Sequence, residues 1–493
     1  MPAPPASKVF PVWARRTVEL ALLLLAILLC WADVRWALRP GLFLMLDELS
    51  NPAQFLNGTY SQIVHVFPEW FFGDRAIGWA FIRLINDWFG FNYTRQLECL
   101  LAIHFANCAM ALALYRRLGA SVPVSIAGLA LFGSLWTTAN TATYPGEAPD
   151  VLCLFFLLAS TLVLLSERRG ANIVSAILYF AALRTKEFGI VAPIPFTVLV
   201  VLQLPRQPLR PTVAALLRRL WLHYTVLLVI GLRYFQLYLS YRTSTPAGNP
   251  YRVHPGIAAA AKNLAWFTGQ IFGRDYTNST IPALAVVLVL AAIFAWAVYR
   301  RDAGLAFGIA AFVFTLLPVC VIEHRADFYV YAPQVFLILA LCLLADGAIA
   351  LCVRGNQARW IAAVCLVLLC FAGCLDFRRS SYFRDRINWT FWIRGTCRRT
   401  AHDVDTKLPP LGPGTRIYVR HNATATPWIF LPPCAYLQMV NRQKGISCFI
   451  DKPADQVRAV YDADAGPKFL LDYHDNGTFD VLDASRTTAA ANR

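Results

Sequence analysis

Asp47 and Glu48 stand side by side just after a long apolar segment, and they open a series of ionisable residues that recur between apolar runs. Glu147 and Asp150 follow in Tyr144-Pro-Gly-Glu-Ala-Pro-Asp150, then Arg184, Lys186 and Glu187, then Arg233 with Tyr234 and Tyr238 nearby. His324, Arg325, Asp327, Tyr329 and Tyr331 complete the set. Acids come early; cations with phenols come late. A carboxylate at Asp47 or Glu48 can take the proton of an attacking hydroxyl as general base. Guanidinium, ammonium and tyrosine hydroxyl groups can stabilise a departing phosphate. Together they describe a displacement with one inversion, in which base and leaving group lie on opposite faces of the reacting carbon. Asp47 and Glu48 are therefore the candidate catalytic residues. Glu147, Asp150, Arg184, Lys186, Glu187, Arg233, His324, Arg325, Tyr329 and Tyr331 are the candidate substrate-binding residues.

Plainer readings compete for several of these. Asp150 suits a helix N-terminus, where acids complement the dipole. Arg233 suits a side chain snorkelling to a membrane interface, and Tyr329 and Tyr331 suit an aromatic belt. His104, His223 and His254 read as packed or interfacial rather than as ligands.

The elements that must position these residues are membrane spans. Only 15% of the 493 residues are charged and 57% are hydrophobic, against about 25% charged in a soluble domain. Apolar stretches near the roughly 20 residues that cross a bilayer number about eleven. Their centres lie at Leu25, His104, Leu131, Leu158, Ile177, Val198, Leu228, Leu288, Phe312, Ile338 and Val367. The third, fifth and sixth are short or interrupted, the sixth by Pro193 and Pro195.

Net charge is +16, which in a soluble protein would suggest nucleic acid. Here alternating spans place Arg15 with Arg16, Arg116 with Arg117, Arg168 with Arg169, Arg218 with Arg219 and Arg300 with Arg301 on one side. That is the positive-inside pattern for a cytoplasmic N-terminus, and it requires no nucleic acid. Arg378 with Arg379 is the exception. All the candidate site residues then fall on the opposite, extracytoplasmic side.

This arrangement predicts a membrane domain over residues 1–376, with a first outer loop at about 37–96, and an extracytoplasmic α/β domain over 377–493. Within that loop, residues 76–90 carry apolar positions at helical spacing and predict an interfacial amphipathic helix, as do 257–271. In the tail, 384–404 reads as a helix, and 416–420, 446–450, 468–473 and 478–482 as strands. The last two flank Asp475-Asn-Gly477, the signal of a type I′ hairpin. Cys397, Cys434 and Cys448 allow one disulfide with one thiol left over, without fixing the pair. Sequons at Asn57, Asn92, Asn278, Asn388, Asn422 and Asn476 all lie on the expected outer side. No Cys/His cluster has metal-ligand spacing.

The acidic pair Asp47-Glu48, the stretch from His104-Phe-Ala-Asn-Cys to Tyr115-Arg-Arg-Leu-Gly-Ala, and the acids ahead of the fourth span form an ordered set. Arg184-Thr-Lys-Glu-Phe-Gly-Ile-Val-Ala-Pro193 and Glu323-His-Arg-Ala-Asp-Phe-Tyr-Val-Tyr-Ala-Pro333 complete it. On these motifs the chain, over residues 15–350, resembles the GT-C superfamily of polytopic glycosyltransferases. Within that superfamily it is most similar to the O-mannosyltransferase-like branch that includes the transmembrane and tetratricopeptide-containing mannosyltransferases. The resemblance implies a polyprenyl-phosphate sugar donor, an extracytoplasmic site, inversion at the anomeric carbon, no required metal or cofactor, and a base in the first outer loop. The family often shows two Asp where this chain has Asp47-Glu48, so the choice of base stays open, and no tetratricopeptide array follows the spans.

The expectation is thus a mostly α, polytopic membrane glycosyltransferase of the bacterial inner membrane. Its acceptor would be a hydroxyl on a glycan, lipid or protein. A transporter or flippase would instead place its ionisable residues near mid-membrane and show internal repeats. A polysaccharide polymerase or ligase would share the donor and the side of the membrane, with a larger late loop.

Overall fold

A computed structural model describes the chain apart from residues 1–10, 46, 57, 70–73, 167, 206–208, 245–248, 250, 254–255, 274–279, 422–433, 450–453 and 486–493. Asn57, His254, Asn278, Asn422 and Ile450 lie outside the described residues. All eleven apolar centres fall in helices. Among the described residues, eight helices are long and apolar enough to cross a membrane. A further pair, Val122–Ser134 and Trp136–Ala142, is long and apolar enough only when taken together and is bent by 61°, a broken span or a re-entrant loop. The break comes at Leu135, whose backbone is extended (φ −75°, ψ 144°). The remaining two helices are short: Ala171–Thr185, and Pro193–Gln203 with its prolines in the first turn. The three stretches that looked short or interrupted in the sequence are therefore these three. The chain is a multi-pass α-helical membrane protein with a small C-terminal sheet.

Helix–helix packing in lipid relies on close approach, since lipid tails are as apolar as leucine. Gly133 provides one such approach to the first span: a Cβ there would lie 2.0 Å from the Cys30 Sγ and 2.8 Å from its Cβ. Gly133→Ala is expected to cost about 1–3 kcal/mol through overpacking. A lowered thermal midpoint in detergent checks this, and an unchanged one would contradict the packing.

The basic helix ends gather at one end of the bundle. Arg117 Nη2 donates to the Leu165 carbonyl at 2.7 Å, and Arg219 Nη2 to that of Leu164 at 3.3 Å. Arg301 donates to the carbonyls of Val201, Leu202 and Leu204. Cations there satisfy helix C-terminal carbonyls and complement the dipole. Arg378, the exception in the charge pattern, has a partner of its own. Its Nε lies 3.4 Å from an Asp33 oxygen at the end of the first span.

After the last span, helix Ser381–Lys407 leads to four strands: β1 (Arg416–His421), β2 (Ser447–Phe449), β3 (Lys468–Tyr473) and β4 (Phe479–Ser485). The order is β2-β1-β3-β4, with β1 parallel to β2 and β3, and β3 antiparallel to β4. The hairpin forms where expected, but its turn differs. The Gly477 N–H donates to the His474 carbonyl at 2.9 Å, and Gly477 (φ +87°) is left-handed whereas Asn476 is not. A type I turn closed by a left-handed glycine therefore replaces type I′, which needs positive φ at both central residues. Cys434 and Cys448 form the disulfide, leaving Cys397 as a buried thiol. One apolar cluster joins this tail to the first loop, with Leu44, Leu49 and Tyr144 packed together with Ile393, Cys397, Tyr436 and Leu437.

Candidate active site

A cavity of about 360 Å³ opens where several helices begin or end. Asp47 reaches it from the first turn of helix Asp47–Gln54, with Asn51 one turn on. Arg75 immediately precedes the amphipathic helix Ala76–Phe89, which supplies Trp79. Gly146 and Glu147 come from the 3-10 turn Pro145–Glu147 ahead of helix Ala148–Leu164. Lys186 is an extended residue (φ −155°, ψ 146°) between Ala171–Thr185 and the turn Glu187–Val191. Phe328 and Tyr329 belong to another such turn, Asp327–Val330, and Tyr251 adds a further ring. Helix termini expose backbone N–H groups that favour anions nearby, which accounts for the acids in the first turns.

Two cation clusters are fixed inside. The Lys186 ammonium is fully buried, contacts an Asp150 carboxylate oxygen directly and lies 3.5 Å from Glu147. It also sits 5.2–5.4 Å from the ring centroids of Phe188, Phe328 and Tyr329, where cation–π attraction adds to the pairing. Arg75 meets Glu187 in a bidentate pair, Nη2 to Oε1 at 2.9 Å and Nε to Oε2 at 3.2 Å. Burial alone would lower the Arg75 pKa; the Glu187 carboxylate raises it, so the guanidinium stays charged.

Asp47 is different. It keeps surface open to the cavity, and Ser50 donates a long 3.4 Å hydrogen bond to it. Protein crowds it on the other sides, and this burial raises its carboxyl against the pull of Arg75 and Lys186. Its backbone N–H donates to the Tyr144 hydroxyl at 3.1 Å. A Cβ on Gly146 would lie 3.1 Å from that of Asp47, so the two acidic segments are in direct contact. A raised-pKa carboxylate open to a cavity, with fixed cations around it, can accept a proton while an anion is held nearby.

Of the residues singled out in the sequence, Asp47, Glu147, Lys186, Glu187 and Tyr329 line this cavity, and Asp150 holds Lys186 from behind. His324 stands close by, its ring 5.1 Å from Tyr251 and 5.7 Å from Tyr329, and burial lowers its pKa against the pull of Asp47. The others are elsewhere. Glu48 is buried in a bidentate pair with Arg394, both N–O distances 2.8 Å. Arg184 pairs with Asp74 at 3.0 Å. Arg233 donates to the Pro68 carbonyl at 2.9 Å, and Arg325 to Asn263 at 2.9 Å. Tyr331 lies inside the bundle, 2.8 Å from His104 Nδ1. His223, also read as packed, meets Ser175 at 3.0 Å. The early-acid, late-cation division does not hold either, because Arg75 comes from the first loop. Arg75, Asn51, Trp79, Tyr251 and Arg394 were missed. Only Arg75, a cation directly before an amphipathic helix, left a signal in the sequence.

No family model matches the chain, and no curated protein matches its sequence. Among solved structures, it is similar to ArnT from Cupriavidus metallidurans bound to undecaprenyl phosphate, with 14% identity, a TM-score of 0.46 and 94% of each chain covered. It is likewise similar to the same protein in the apo state, with 14% identity, a TM-score of 0.48 and 94% of each chain covered.

Proposed function

We propose that this chain is a GT-C-type membrane glycosyltransferase. It moves a sugar from a polyprenyl-phosphate donor to an acceptor hydroxyl, with inversion, on the extracytoplasmic side of a bacterial inner membrane. One observation carries the reading: the open carboxylate of Asp47 shares a cavity with Arg75 and Lys186. Asp47 takes the acceptor proton while the acceptor oxygen bonds to the anomeric carbon. The bond from that carbon to the phosphate oxygen breaks, and its electron pair leaves with the lipid phosphate. Arg75 and Lys186 stabilise the departing charge, and Glu187, Glu147 and Asp150 keep the two cations in place. Trp79, Tyr251, Phe328 and Tyr329 offer faces against which a sugar ring can pack. The Cys434–Cys448 disulfide supports an oxidising compartment for the tail.

Purified protein in nanodiscs, given a panel of polyprenyl-phosphate hexoses and pentoses with mixed glycan and lipid acceptors, should release polyprenyl phosphate. Mass spectrometry reads that release. Silence with every donor, together with proton- or sodium-coupled uptake in vesicles, would replace the enzyme by a transporter.

A further inference from the structure

Helix Ser381–Lys407 follows the last span and lies outside the cavity, yet it holds the segments that build it. Arg394, 1% exposed, is its anchor. Besides the two bonds to Glu48, Arg394 Nη1 donates to the Phe43 carbonyl at 2.8 Å and Nη2 to the Thr143 carbonyl at 3.4 Å. Its guanidinium lies 4.1 Å from the Tyr93 ring centroid. One planar group thus ties residues 43–48, which carry Asp47, to residues 143–147, which carry Glu147. The same two segments touch at Gly146 and at the Tyr144 hydroxyl. The Glu48 carboxylate raises the Arg394 pKa against the lowering effect of burial, so the guanidinium stays charged, while burial raises the Glu48 carboxyl against the pull of Arg394. Just over two turns earlier, Arg386 pairs directly with Asp327, beside Phe328 and Tyr329.

We infer that Arg394 is a positioning residue, which sets the distance between Asp47 and the Glu147 turn, and that the tail helix is thereby part of the catalytic apparatus. This rests on the glycosyl-transfer reading of Asp47. A fork with donors in two directions can bridge both carboxylate oxygens and two carbonyls; a lysine cannot. A displacement of about 1 Å in a reacting group costs on the order of 10²-fold in rate.

The test uses the full chain in nanodiscs. Arg394→Met with Glu48→Leu removes both charges together, so no uncompensated buried ion remains to unfold the protein. Arg394→Lys keeps the charge and loses the fork. Both should lower kcat by about tenfold or more, with KM for the polyprenyl-phosphate sugar within about twofold. Hydrogen exchange, which needs no donor, should rise in residues 43–48 and 143–147 while the thermal midpoint holds. Unchanged exchange in those segments, or wild-type kcat, overturns the proposal. Exchange rising across the whole bundle, or a matching rise in KM, reduces Arg394 to general stability and overturns it too. Asp47→Asn separates the two readings. Its loss of turnover beside a fully active Arg394 variant sinks only the positioning role; full turnover in Asp47→Asn sinks both.

Discussion

Asp47→Asn folds like the parent chain and loses turnover by a factor of about 10²–10⁴, the range a general base supplies. Asparagine keeps the shape of the side chain, and the backbone bond from residue 47 to Tyr144 does not involve the carboxylate. Binding of the lipid phosphate should survive, so the loss falls on kcat. The pH dependence provides a second check. Burial raises the Asp47 pKa, and the base must be ionised to act. Activity is therefore present at higher pH and lost as pH falls through that raised pKa, with the acid limb above the ordinary carboxylate range. An acid limb at or below that range would assign the proton to another group, as would an Asp47→Asn chain with full turnover.

Lys186→Met has the larger effect on stability. The ammonium is fully buried between Asp150 and Glu147. Removing one member of a buried ion cluster typically costs about 3–5 kcal/mol, because the remaining charge is left without compensation. Here two carboxylates would face each other. The expected result is a sharply lowered thermal midpoint and, in whatever fraction folds, loss of polyprenyl-phosphate binding. Adding Asp150→Leu should recover most of the stability and none of the binding. If the single variant melted like the parent, the cluster would not be holding the Ala148–Leu164 and Ala171–Thr185 helices together.

The spans were legible because hydropathy is local: each apolar centre found its helix, and the weak stretches proved to be the bent or short ones. The site was legible only as a set of tips. Asp47 and Glu48 are adjacent and chemically alike, but consecutive helix residues point about 100° apart. One opens to the cavity, and the other meets an arginine 346 residues later. No local pattern could have chosen between them. The same holds for Lys186 against Arg184 and for Tyr329 against Tyr331, each pair split by a helix boundary. At the hairpin the Asn-Gly signal was sound, yet Thr478 and Asn476 bond to each other at 2.7 Å and the turn settled differently.

The helix Ala171–Thr185 begins next to the exposed Arg168–Arg169 pair and has only 15 residues. At 1.5 Å per residue it spans about 22 Å, short of the roughly 30 Å hydrocarbon core. Lys186 and Glu187 stand at its far end, the Lys186 side chain fully enclosed by protein. On the proposed glycosyl-transfer reading, that enclosure would keep solvent away from an activated sugar held beside Lys186 and leave the acceptor hydroxyl as its partner.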